Sequence, residues 1–203
     1  MQKALSSAEK LHQYALRVKS AWSRVYNVFD GTIRAGKFET GAEVGVAFGW
    51  HIEALLRIPT VKKMYGIDPY LYTPTVYALG FSQTELDALY VDVLERLARF
   101  GDRYEHIRQR SADAAGTIPE QLDFVYIDAD HSYEGISMDL RTWFPKVREG
   151  GVIGGHDYAQ AGFPGIKRAV DRFFGRLGYH VYTGGQHVWW IEKRPLKMAE
   201  RSC

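Results

Sequence analysis

The chain has 203 residues, 46% of them hydrophobic and 25% charged, with a formal net charge of +2. That length suits one domain with a real core, and so even a charge balance gives no reason to expect nucleic acid or a membrane surface as the main partner. The single cysteine, Cys203, excludes an intrachain disulfide or a cysteine-based zinc site; with a charged, amphipathic start in place of a secretory signal and no membrane-length apolar run, a cytoplasmic setting is expected.

From Ser6 to Phe29, apolar residues such as Leu11, Val18, Trp22, Val25 and Phe29 recur at helical spacing, predicting an amphipathic helix ahead of the sheet that packs on it or meets a second copy. Ala42–Val46 then reads as a short buried strand and Trp50–Ile58 as a helix, which makes Gly45–Gly49 the tight turn between them. Glycines there let the backbone approach a ligand. The pattern, E-x-G-x-x-x-G from Glu43, departs from the G-x-G-x-x-G of dinucleotide binders: an acidic residue at that point repels a pyrophosphate and welcomes an amine. KKMYGID is a second strand closed by Asp68, about 20 residues past the turn, where a carboxylate accepts hydrogen bonds from ribose hydroxyls. Otherwise Asp68-Pro69 simply starts a turn.

Pro69–Gln83 is aromatic, with Tyr70, Tyr72, Tyr77 and Phe81, and interrupts the alternation as a lid or as a plug over the sheet. Thr84–Phe100 is a helix ended by Gly101, and Tyr104–Gln109 a third strand. Ser111 and Ala112 occupy the loop after it, where a base can be held or where Ser111 caps a helical turn.

Leu122–Tyr158 organises the rest. LDFVYID closes on Asp128 and GGVIGGHD on Asp157, with a helix-length segment between them, so the two runs read as parallel strands. Ligands bind outside the carboxyl ends of such strands, and Asp128, Asp130, His131, His156 and Asp157 are therefore expected in one crevice. The plainer alternative makes His131-Ser132 a helix start and Asp157 a turn residue. Phe163–Leu177 is a further helix, and Tyr179–Thr183 and His187–Glu192 flank Gly184-Gly185 as a hairpin.

This combination resembles the class I S-adenosylmethionine-dependent methyltransferases over nearly the whole chain. VYIDADHSYEG followed by D-L-x-x-W-x-P-x-V-x-x-G-G-V-I-G-G-H-D-Y resembles, within them, the bacterial metal-dependent sugar O-methyltransferases and cephalosporin-hydroxylase-like proteins. The resemblance implies a single α/β domain over residues 1–203: a Rossmann-like, seven-stranded, mostly parallel sheet with helices on both faces and an antiparallel C-terminal hairpin. An N-terminal helical extension (1–37) and a lid-like insertion (69–84) would be added to it. It implies that Glu43, Gly45 and Gly49 hold the methionine part of S-adenosylmethionine, that Asp68 binds the ribose and that Ser111 and Ala112 border the adenine. It further implies a metal on Asp128, His156 and Asp157, with His131 as general base. His156 replaces the first acid of the family's metal-binding pair, and an imidazole suits Mn²⁺ or another first-row ion better than Mg²⁺.

The sulfonium donor is already activated, so the enzyme's task is to place an acceptor oxygen in line with the methyl and remove its proton. The expected acceptor is a small molecule such as a sugar or glycoside, with a divalent ion, His131 or both assisting. A metal-independent methyltransferase and a non-catalytic S-adenosylmethionine-binding protein are the alternatives; a homodimer and a monomer are equally compatible with the apolar surfaces.

Overall fold

The structure, a computed structural model, describes residue 13, residues 27–72 and residues 81–194. Most of the helix expected over Ser6–Phe29 and residues 73–80 of the expected lid fall outside these residues.

Helix α1 (Asn27–Gly36) leads into β1 (Thr40–Val44), α2 (Trp50–Leu56) and β2 (Lys63–Ile67). Helix α3 (Gln83–Leu97) follows, opened by a capping box in which Ser82 and Glu85 satisfy each other's backbone N–H groups. Then come β3 (Tyr104–Ile107), the one-turn α4 (Ser111–Ala114), β4 (Leu122–Ile127) and α5 (Tyr133–Trp143). The chain continues through β5 (Val147–Gly155), α6 (Pro164–Arg176), β6 (Tyr182–Thr183) and β7 (Trp189–Glu192). Among the described residues these strands form one sheet in the order β3-β2-β1-β4-β5-β7-β6. Strands β1 to β5 pair in parallel, and β7 runs antiparallel to both β5 and β6. This is the expected Rossmann-like fold.

Both faces of the sheet are covered, which is why the stretch from Phe124 to Ile127 of β4 reads as an unbroken apolar run rather than an alternating one. Phe124 and Tyr126 pack with Phe29 and Ile33 of α1, Ile52 of α2 and Leu86 of α3. Val125 and Ile127 pack on the other side with Leu140 and Trp143 of α5 and Phe174 of α6. The strand order reverses between β1 and β4, so the loops leaving those two strands open a crevice at their carboxyl ends.

The hairpin differs in detail from expectation. Its bend is a 3-10 turn over Gly185–His187, with Gln186 and His187 at φ 62° and 63°, rather than a two-glycine turn. Tyr158 explains the shift: its N–H donates to His187 O at 2.9 Å, and its carbonyl lies 3.1 Å from His187 Nδ1, so the bend is tied to the end of β5. Trp189 is buried, whereas Trp190 points the opposite way and stacks on Tyr182.

Candidate active site

The turn after β1 is built by close backbone approach. Gly45 has φ +93°, and a Cβ there would lie 2.0 Å from the carbonyl oxygen of Asp128, so only glycine lets the β1 and β4 loops run side by side. Gly49, also left-handed, opens α2. Asp68 fastens the same turn. Its Oδ2 accepts from the N–H groups of Val46 (3.1 Å) and Ala47 (2.9 Å), and its Oδ1 from that of Tyr70 (2.8 Å). Tyr70 completes the loop by donating its hydroxyl to Ala47 O at 2.7 Å. Ala47 and Tyr70 both hold positive φ. Asp68, the residue expected at the ribose, thus acts as the main-chain clasp of the turn.

Glu43 is buried, and its Oε2 faces His51 Nδ1 at 3.4 Å; His51 Nε2 is 3.7 Å from Asp30 Oδ1 of α1. Burial alone would lower the His51 pKa, but the flanking Glu43 and Asp30 carboxylates outweigh it and hold the imidazolium up to about 9. At least one oxygen of Glu43 is therefore directed inward rather than to a donor amine. Asp30 and His51 carry no local sequence signal, since nothing in the sequence ties a residue of α1 to partners on the next strand and helix.

Ser111 is not the helix cap that one of the two sequence alternatives made it. Arg110, not Ser111, precedes α4 as its cap, and the Ser111 hydroxyl donates to Asp139 while accepting from Trp143 Nε1 at 2.8 Å. It pins α4 to α5; Ala112, the next residue of α4, is exposed.

At the ends of β4 and β5 the acidic groups meet. His131 Nε2 lies 3.4 Å from Asp128 Oδ1 and 2.9 Å from Asp157 Oδ2, and His156 Nδ1 lies 3.0 Å from Asp157 Oδ1. Asp157 is held at φ 59°. Asp130 turns away and accepts from Ser132 N–H, and Ser132 caps α5. The His131 ring is stacked on Phe163, centroids 4.5 Å apart at 23°, a contact that no sequence signal marked. Burial lowers the His131 pKa, but hydrogen bonds and charge from Asp128 and Asp157 more than offset it and raise it to about 10. Asp157 is pushed up by burial and pulled well below the usual carboxylate range by His131 and His156. His131 therefore carries its proton at neutral pH in this arrangement, unlike the ordinary imidazole that the sequence suggests as a base.

One nitrogen of His131 and one oxygen each of Asp128 and Asp157 lie within 4.8 Å of one another, a donor set that fits a divalent ion. His131 stands beside the two carboxylates, while His156, the third ligand expected from the sequence, lies against the other oxygen of Asp157.

A family model described as a methyltransferase domain matches residues 38–158, more than half of the chain. An uncharacterized protein of Acanthamoeba polyphaga mimivirus is 25% identical over 150 residues, which cover 71% of this chain and 63% of that protein, so the chain spans less than two thirds of this relative's length. Among solved structures, the O-methyltransferase NovP superposes with a TM-score of 0.62 at 18% identity, covering 81% of this chain and 76% of that one. The methyltransferase PaMTH1 of Podospora anserina, solved with S-adenosylhomocysteine (SAH) bound, gives 0.60 at 16% identity over 96% of this chain and 100% of its own. At these identities the likeness is one of fold. No helix among the described residues is long and apolar enough to cross a membrane.

Proposed function

The chain belongs to the methyltransferase-domain family, and from that premise we propose that it transfers the methyl group of S-adenosylmethionine to a hydroxyl of a small polyhydroxylated molecule such as a sugar. One observation carries the reading: the clasped glycine turn of β1 and the Asp128–His131–Asp157 cluster lie side by side, with Gly45 packed on the Asp128 carbonyl. A donor seated on the first thus faces proton-handling groups on the second. That PaMTH1 was solved with SAH and that NovP is an O-methyltransferase support the choice of donor and acceptor atom.

The residues divide the work. Gly45 and Gly49 leave room for the donor, and Asp68 offers its carboxylate to the ribose from the turn that it clasps. Asp128 and Asp157 accept the hydroxyl proton's hydrogen bond or hold a cation, and Phe163 fixes the plane of His131. A divalent ion on Asp128, His131 and Asp157 would supply Lewis-acid stabilisation of a developing alkoxide. A metal-independent reading is favoured by one feature, that His131 Nε2 already pairs with both carboxylates.

Calorimetric titration with SAH, before and after metal removal, tests the donor. Methyl transfer from labelled S-adenosylmethionine to a panel of glycosides tests the acceptor. Micromolar SAH binding with transfer abolished by chelation supports the metal-assisted form; transfer indifferent to chelation supports the other; no SAH binding sinks both.

A further inference from the structure

His106 of β3 lies opposite Gly66 of β2 in the sheet register, and Tyr104, two residues before it on the same strand, shares its face. The His106 ring is half-buried between Tyr70 and Tyr90, with centroids 5.5 and 5.1 Å away. Its Nε2 lies 3.2 Å from the main-chain carbonyl oxygen of Asp68, and its Nδ1 lies 2.7 Å from the Tyr104 hydroxyl. Gly66 makes the space for that phenol, since a Cβ there would stand 2.7 Å from the Tyr104 oxygen.

These partners fix where the proton sits. A carbonyl oxygen only accepts, so Nε2 carries the hydrogen and donates it to Asp68 O. Burial pulls the His106 pKa below its ordinary value; the Asp68 carbonyl and carboxylate oppose this and Arg108 adds to it, so the ring is neutral at pH 7 and Nδ1 is bare. Nδ1 then accepts from Tyr104, whose phenol keeps its proton because burial and the Glu43 and Asp68 charges raise its pKa. The two bonds form a one-way chain, from the Tyr104 hydroxyl through the imidazole to Asp68 O. The Asp68 N–H meanwhile donates to Ile107 O at 3.3 Å, so β3 grips both main-chain groups of Asp68 while its carboxylate grips the glycine turn. Pro69 follows and has no N–H to offer. The hold on the Asp68 carbonyl therefore sets how the chain enters Tyr70, whose N–H and hydroxyl complete the clasp.

We propose that His106 is a positioning residue for the methyl donor: its Nε2–H tautomer orients the Asp68 main chain, and through it the carboxylate offered to the ribose. The inference rests on the methyltransferase reading above for the identity of the donor, but not for the tautomer or the hold on Asp68.

Long-range proton–nitrogen correlation spectra of the imidazoles, recorded on the full chain at pH 7, test it together with SAH calorimetry. His106→Gln carries an amide N–H that reaches about as far as Nε2, His106→Leu fills the space without a donor, and Tyr104→Phe removes only the hydroxyl that faces Nδ1. The His106 signals, assigned by their loss in His106→Gln, are expected in the Nε2–H pattern, with the Nδ1 resonance moved in Tyr104→Phe. SAH affinity should stay within about twofold of the parent in His106→Gln and fall about five- to tenfold in His106→Leu, as for one lost neutral hydrogen bond. KM for S-adenosylmethionine should follow the same order with kcat unchanged. An Nδ1–H or doubly protonated ring at pH 7 overturns the proposal, as do equal losses of SAH affinity in His106→Leu and His106→Gln, the mark of a packing role alone. Should His106→Leu fail to fold, Tyr104→Phe carries the test, and an Nδ1 resonance unmoved there overturns the chain. A parent that shows the Nε2–H pattern and binds no SAH removes the methyltransferase reading and the donor role with it, whereas SAH binding indifferent to position 106 removes the donor role alone.

Discussion

His131 Nε2 stands 2.9 Å from Asp157 Oδ2, and this contact ties the loop after β4 to the end of β5. The donor turn makes no use of it. His131→Ala leaves Asp128 and Asp157 without the imidazolium between them and is therefore expected to lower methyl transfer by about 10²-fold, the usual worth of a preorganised charge at the reacting centre, while SAH affinity stays as it is. Turnover measured beside SAH calorimetry checks this; a parallel loss of both would show that the histidine only supports the fold.

Asp128 and Asp157 supply the two hard ligands of the candidate cation site. Mn²⁺ binding followed by electron paramagnetic resonance should weaken by more than about tenfold in Asp128→Asn or Asp157→Asn, and about as much in His131→Ala but less in His156→Ala, whose imidazole acts through Asp157. Equal losses in His156→Ala and His131→Ala would place both imidazoles in the ligand set.

Asp68 accepts three backbone N–H bonds in a buried position, so its replacement costs stability as well as donor binding. Asp68→Asn should destabilise by about 2–3 kcal/mol, since bonds to a charged acceptor are the costly ones to lose. At about 2–4 °C per kcal/mol for a chain of this size, thermal unfolding should move down by about 4–12 °C. Tyr70→Phe removes one neutral bond to Ala47 O and should cost about 1 kcal/mol, with a weaker SAH complex. An unchanged melting temperature in Asp68→Asn would refute the clasp.

Asp139 gives a pH signature away from the crevice. Burial raises its pKa, the Ser111 hydrogen bond opposes this, and Asp130 adds to it, for a result of about 6. A raised folded-state value means stability that is fully present below the unfolded pKa of about 4 and lost as pH rises through about 6. Asp139→Asn keeps an acceptor for Ser111 and carries no charge. Relative to the parent, its unfolding free energy should gain about 1–3 kcal/mol between pH 4 and pH 7, read by denaturant titration at both values. A constant difference across that range would overturn the assignment.

Gly45→Ala should fail to fold or should accumulate as insoluble protein, because the new methyl carbon would sit 2.0 Å from Asp128 O at a φ of +93°. Gly31→Ala, whose Cβ meets nothing within 4 Å, is the matched control and should express normally.

The architecture was legible in the sequence because its signals are local. The run from Phe124 to Ile127 is apolar at every position since Phe124 and Tyr126 serve one core and Val125 and Ile127 the other. Placement of Asp128, His131 and Asp157 at one edge followed from strand direction alone. What escaped were the partners of side chains. Whether Ser111 faces a ligand or Asp139 depends on where α5 lies, and whether His131 is a base or an imidazolium depends on two carboxylates whose distances no spacing rule contains. Phe163 was read as the start of a helix, and its ring became part of the site only through packing on His131.

Asp68 holds the β1 turn through the N–H groups of Val46 and Ala47. Every residue except proline carries that donor, so the grip is indifferent to which side chains the turn displays. Val46 is held by the core and Ala47 by its positive φ, but the bonds to Asp68 read neither side chain; a change at position 68 releases both N–H groups in one step, whatever residues the turn carries.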